Sequence, residues 1–130
     1  MKLSRCAGFW TVVLAAVHVA ATPVVYRDSA RSIVDAGVLG ALDADPAQAT
    51  VRGAAFWYAT AGLLLGLVGA GVTAAERRGD GVPRGFAPAM AATGLWGVLL
   101  TPVSGFWLFL PIAWLARRNT AAARPAPAAT

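Results

Sequence analysis

The chain has 130 residues, 58% of them apolar and only 13% charged, with a net charge of +5. A soluble domain of this length has too little interior to hide so much apolar surface, whereas lipid can act as its solvent. One cysteine, Cys6, excludes an intrachain disulfide or cysteine metal cluster, and ten arginines without an interleaved aromatic stripe do not read as a nucleic-acid-binding face.

Three stretches carry no charge: Cys6–Tyr26, Gly53–Ala75 and Gly85–Ala116. A helix crossing a bilayer needs about 20 apolar residues. The first two stretches are one span each. The third is too long for one span and barely long enough for two.

In chain order, Met1–Arg5 is a short basic leader. The first span follows, over about residues 8–26, with Pro23 tolerable near its outer end. A signal peptide is the competing reading, because Lys2 and Arg5 precede the apolar run and Val19-Ala20-Ala21 offers a small-residue cleavage site. Residues 27–52 form the one substantial polar loop. In it, Ile33, Val34, Val38, Leu39 and Leu42 recur at near-helical spacing, so a short interfacial helix over Ser29–Leu42 competes with a plain loop broken by Gly37 and Gly40.

Asp45-Pro46 is a helix-start signal, with Asp as cap and Pro at the first helical position. The second helix is expected from there to about Arg77, with its apolar span at 53–75 and Arg52 protruding from the hydrocarbon. Glu76–Gly85 is a polar turn rich in glycine. Thr101-Pro102-Val103-Ser104-Gly105 breaks the last apolar stretch into a hairpin of two short spans, about 86–101 and 104–118. Each uncharged arm is only about 24 Å long, against a hydrocarbon core of about 30 Å. Residues 119–130 read as a disordered Pro/Ala-rich tail.

Charge supports the hairpin. With four spans, one side holds Lys2, Arg5, Arg77, Arg78, Arg84, Arg117, Arg118 and Arg124, and the other only Arg27, Arg31 and Arg52, a split of 8 to 3. With three spans the split falls to 5 to 6. Positive charge collects on the cytoplasmic side, so both termini are expected in the cytoplasm. Aromatics fall at the two surfaces: Phe9, Trp10, Phe86 and Trp114 inside, Tyr26, Phe56, Trp57, Tyr58, Phe106 and Trp107 outside. The expected fold is therefore an all-α transmembrane bundle of four helices forming one domain over residues 1–118. Richness in Ala, Gly and Arg points to a GC-rich bacterial genome, and hence to the inner (plasma) membrane.

Two features bear on function. The second helix carries a stripe of small residues that includes Ala59, Gly62, Gly66 and Gly69, and the third carries Gly94 and Gly97. Small residues let helix backbones approach closely, so these two faces are expected to pack on each other, with a homodimer through Gly62-x-x-x-Gly66 as the alternative. His18 is the one ionisable side chain inside a span. A neutral imidazole there can relay a proton, bond a quinone or lipid headgroup, or ligate a metal or haem; otherwise it is bonded to Thr60, Thr93 or a backbone carbonyl. With Trp57, Tyr58 and Trp107 it forms a candidate ligand or polar cleft. No catalytic constellation is visible, no metal site is expected, and no cofactor is expected, which leaves quinone or haem open.

Several segments together carry a resemblance: His18 in the first span, Asp45-Pro46, Ala55-Phe56-Trp57, Glu76-Arg77-Arg78, Pro83, and Pro102-Val103-Ser104-Gly105-Phe106-Trp107-Leu108-Phe109-Leu110-Pro111. The pattern resembles a domain-of-unknown-function family of small bacterial four-helix integral membrane proteins, over nearly the whole chain to Arg118. The resemblance implies four spans and no established activity. A looser likeness, of size and helix count only, is to membrane subunits of quinone-linked oxidoreduction. The first reading is therefore an uncharacterised, non-enzymatic membrane accessory or interaction subunit, with lipid, a second copy or another membrane protein as partner. A quinone- or redox-linked subunit using His18 and an oligomeric small-molecule exporter are the alternatives.

Overall fold

Apolar runs without charge become helices because each closes its own backbone hydrogen bonds. The computed structural model describes residues 2–120, and those residues contain five α-helices and no strand. These are α1 (Ala7–Val25), α2 (Arg27–Asp35), α3 (Ala49–Arg78), α4 (Phe86–Leu100) and α5 (Phe109–Asn119), with 3-10 turns at Leu3–Arg5 and Gly105–Leu108. Two of them, α1 and α3, are long and apolar enough to cross a membrane. At 1.5 Å per residue, α4 is about 22 Å long and α5 about 16 Å.

The chain divides into two compact units. One takes in the residues up to Val12 and from Leu67 on; the other is Val13–Gly66. In the first, the opening turns of α1 lie against the second half of α3 at very short range. A Cβ built on Gly69 would stand 2.8 Å from the Val12 nitrogen and 3.0 Å from the Gly8 carbonyl oxygen. In the same unit α4 packs on the hairpin that follows it. A Cβ on Gly94 would stand 2.9 Å from the Phe109 Cβ, and one on Gly97 would fall within the Phe106 ring. In the second unit, a Cβ on Gly62 would meet Val19 at 2.7 Å and His18 at 2.8 Å, and one on Gly66 would touch Ala15. Gly62, Gly66 and Gly69 of α3 thus face α1, and the glycines of α4 face Phe106 to Leu110. The expected pairing of the two stripes with each other is not what forms. The Gly62 surface that a homodimer would use is occupied by α1 of the same chain.

Several boundaries differ from expectation, each for a local reason. Asp45 does cap, but it accepts the Ala47 amide (2.9 Å) in a separate turn, and α3 starts at Ala49. The amphipathic helix in the loop is α2, which starts directly after α1 and ends at Asp35 rather than Leu42. Gly37 and Gly40 have positive φ, and so does Val38 (66°), a conformation strained for a β-branched residue, so the helix cannot run on. The final helix begins at Phe109 rather than 104, because Ser104 caps a 3-10 turn first. The tail expected at 119–130 lies, from Ala121 on, outside the described residues; Asn119 is the last residue of α5.

The hairpin is closed by its own polar groups. The Thr101 hydroxyl donates to the Gly97 carbonyl (2.8 Å), the Ser104 hydroxyl to the Thr101 carbonyl (2.6 Å), and the Trp107 indole N–H to the Pro102 carbonyl (2.8 Å). Pro111 falls in the first turn of α5, where its missing N–H removes no helical bond.

Gly97→Ala should destabilise the fold by about 1–3 kcal/mol, because the Phe106 ring must move. Gly71→Ala, where a Cβ meets open space, should stabilise by up to about 1 kcal/mol through helix propensity. Unfolding followed by far-UV circular dichroism reads both, and a common sign for the two variants would contradict the packing described.

Candidate functional site

His18 sits on α1 and Tyr58 on α3, both within the second unit. The imidazole stacks on the Tyr58 ring, with centroids 3.8 Å apart and planes 16° from parallel. Its Nε2 lies 3.0 Å from the Tyr58 carbonyl oxygen. A carbonyl can only accept, so Nε2 carries the proton, and in the neutral ring Nδ1 is left as an acceptor. Room for this arrangement comes from Gly62, one helical turn beyond Tyr58 on the same face. The Tyr26 ring lies 5.1 Å from that of Tyr58, which extends the aromatic cluster to the end of α1.

Of the expected cleft residues, His18 and Tyr58 come together. Trp57 is exposed and packs edge-on against Phe56. Trp107 belongs to the first unit, where its indole is committed to the Pro102 carbonyl. Ala59 lies half-buried on α3. Among the described residues no three His, Cys, Asp or Glu side chains gather into a metal-holding group.

A second polar centre, in the first unit, is built around Glu76. This side chain is 4% exposed, near the end of α3. Its two oxygens accept the backbone amides of Ala7 and Gly8, each at 2.9 Å. These are the first amides of α1, which have no intrahelical partner, and the positive end of the helix dipole favours a carboxylate there. The Asn119 side-chain nitrogen donates to Glu76 Oε1 (2.8 Å) and to the Arg5 carbonyl (2.7 Å). Both neighbours are acceptors, which fixes the amide orientation. Three segments far apart in sequence therefore meet on one buried carboxylate. The pattern of residues offers one faint pointer to it: Glu76 is the only acid within the apolar periodicity of a long helix, and Asn119 is the only asparagine of the chain.

Cys6 is fully buried beside this centre. Burial pushes its thiol above the ordinary value of 9.0, and the Glu76 carboxylate adds to the push. A thiol with a raised value resists ionising in the fold, so this contribution to stability is complete below about pH 9 and is lost as pH rises through the folded value.

Arg52, expected to protrude, is 8% exposed in the second unit. Its Nε donates to the Ser32 hydroxyl (2.9 Å) and one terminal nitrogen to the Ala41 carbonyl, so it ties the polar loop to the start of α3.

Residues 2–123 match the model of a family described as "Family of unknown function (DUF6463)". No curated protein and no solved structure matches the chain.

Glu76→Ala should cost about 2–3 kcal/mol, because it leaves the amides of Ala7 and Gly8 and the Asn119 amide without their acceptor. Glu76→Gln should cost less, since one oxygen remains. Equilibrium unfolding of the two variants checks the order; equal losses would mean that the hydrogen bonds do not carry the effect. Alkylation of Cys6 by iodoacetamide at pH 8 should be slow in the folded chain and fast in denaturant, and a folded rate equal to that of a free thiol would contradict its burial.

Proposed function

Starting from the fact that the chain belongs to DUF6463, a family of unknown function, we propose that it is a multi-pass integral membrane protein acting as a membrane-embedded accessory or interaction subunit rather than as an enzyme on its own. One observation carries the membrane reading. Its side chains are sorted by size in the sense opposite to that of a soluble protein. Among the described residues the largest side chains wholly removed from solvent are Thr11 and Cys6, and half of the buried apolar residues are alanine, with Leu14, Phe86, Met90 and Ile112 the bulkier members. Leu63, Leu64, Leu67 and Val68 of α3 and Leu95, Trp96, Leu99 and Leu100 of α4 are exposed. The most apolar windows of α1 and α3 are only 28% and 22% buried, whereas the core helix of a soluble protein would be mostly covered. Small residues at helix contacts with large apolar residues facing outward is the arrangement lipid favours.

Four spans, with α4 and the 3-10 turn plus α5 as a short hairpin, are supported by the arginine distribution and by Arg118. Its guanidinium lies 4.3 Å from the centre of the Trp114 ring, an anchor suited to the headgroup level. The termini are then cytoplasmic and the membrane a bacterial inner membrane. The accessory role is supported by the polar groups that lie between segments. Glu76, Arg52 and His18 are each bonded to backbone or side-chain partners that hold helices together. A redox reading has one specific observation in its favour, the stack of His18 on Tyr58 with Tyr26 beside it.

Alkaline carbonate washing of membranes from expressing cells should leave the chain in the pellet; release to the supernatant would defeat the membrane reading. A reporter fused at the C-terminus should be active only in a form that matures in the cytoplasm, and a periplasmic signal would remove the four-span topology. For the redox reading, purified protein should carry a quinone or chromophore that His18→Ala loses, and unchanged content would take His18 out of that role.

A further inference from the structure

The polar loop in the second unit holds a feature that the helix packing leaves unused. On α2, Asp28, Arg31, Ser32 and Asp35 share one face, at spacings of three and four. On the other side, Gln48, just before α3, and Arg52, in its first turn, are four residues apart, and the Arg52 amide donates to the Gln48 carbonyl. Helices ordinarily close against each other with apolar side chains. Here the polar stripe of α2 and the polar start of α3 line an open groove of about 490 Å³, within the size range of small-ligand sites.

The charges of this groove are uncommitted to one another. Among the described residues the ion pair within 4.0 Å is Arg78–Asp80, remote from it in sequence, so none of Asp28, Arg31, Asp35 and Arg52 is paired with another. Arg52 is more than nine-tenths buried and pinned through Nε to Ser32 and through one terminal nitrogen to Ala41. Its other terminal nitrogen has no protein partner among the described residues, which leaves a pre-oriented donor at the groove.

Two carboxylates and two guanidiniums sum to zero charge. A ligand of one sign meets as much repulsion as attraction there, whereas a ligand carrying both signs, set apart, can satisfy both. Guanidiniums match a phosphate, and carboxylates accept the N–H bonds of a primary ammonium. A lipid source is in keeping with exposed apolar side chains on the helices that flank α2 in sequence and on α2 itself. Val24 and Val25, at the end of α1, and Val34, on α2, are exposed.

We infer that this groove binds a zwitterionic headgroup with a phosphate and a primary ammonium, of the phosphoethanolamine type, the phosphate on Arg31 and Arg52 and the ammonium on Asp28 and Asp35. The lipid source rests on the membrane reading above; the headgroup chemistry does not. The probes are phosphatidylethanolamine, phosphatidylglycerol and phosphatidylcholine, offered at equal amounts to the purified full chain in mixed micelles, with bound lipid counted by native mass spectrometry. Phosphatidylethanolamine should be retained roughly fivefold over phosphatidylglycerol, the scale of one partly exposed ion pair. Arg31→Gln should weaken retention of all three lipids while phosphatidylethanolamine stays ahead of phosphatidylglycerol, and Asp35→Asn should shift the preference toward phosphatidylglycerol. Both residues are exposed, so the fold is not at stake in either variant. Equal retention of the three lipids, or retention unchanged in both variants, would overturn the proposal. Free phosphoethanolamine that displaces the lipid would assign a soluble source, and failure to displace it a lipid source. If carbonate washing releases the chain yet phosphoethanolamine still binds in water, the membrane reading fails while the groove assignment stands.

Discussion

A single buried carboxylate sets the geometry of the first unit. Glu76 holds the first two amides of α1, and through Asn119 it reaches both the Arg5 carbonyl and the end of α5. A buried ionised group is costly unless its lone pairs are filled, and here each oxygen has at least one donor. With Ala7 and Gly8 fixed on Glu76, Gly8 must pass close to Gly69 and Thr73, a turn or two back along α3, and only small residues allow that approach. The packing of small residues and the polar cap are thus one constraint. Moving α1 by one residue along α3 would unbond the amides and drive side chains into backbone.

The second unit solves a similar problem with a different group. Arg52, rather than a carboxylate, is the buried charge, and it draws in the loop through Ser32 and the Ala41 carbonyl. The His18 imidazole reaches the Tyr58 carbonyl in the space that Gly62 leaves. In both units the ionisable side chains that join segments, Glu76, Arg52 and His18, bond to backbone groups of another segment. Such bonds specify position without needing a matched partner side chain, which suits an interior built largely from alanine, glycine and threonine.

The helices were largely legible because their signals are local. The charge-free runs predict α1, α3 and α4 to within a few residues, and Gly37, Pro83 and Pro102 to Gly105 mark real breaks. What depends on distant residues was not legible. Glu76 looks like the start of a polar turn until Ala7 and Gly8, some 70 residues away, are brought to it. Arg52 looks like a protruding charge because nothing near it in sequence announces Ser32 and Ala41 as partners. The glycine stripes are legible as faces, but a stripe does not say which neighbour it meets, and the neighbours here are α1 and Phe106. The bond of His18 to a backbone carbonyl is one of the arrangements that a lone imidazole inside an apolar run allows.

The link from Arg5 through Asn119 to Glu76 also orders events in time. The start of α1 leaves the ribosome well before Asn119, which is made more than a hundred residues later and whose side chain donates to Glu76 and to the Arg5 carbonyl. Until then the Arg5 carbonyl and Glu76 Oε1, the oxygen that accepts the Ala7 amide, lack the donor that Asn119 supplies. Closure of the first unit is therefore a late, long-range step that waits for α5, and a chain stopped short of Asn119 would hold its other helices but not the latch that joins Arg5 and Glu76 to α5.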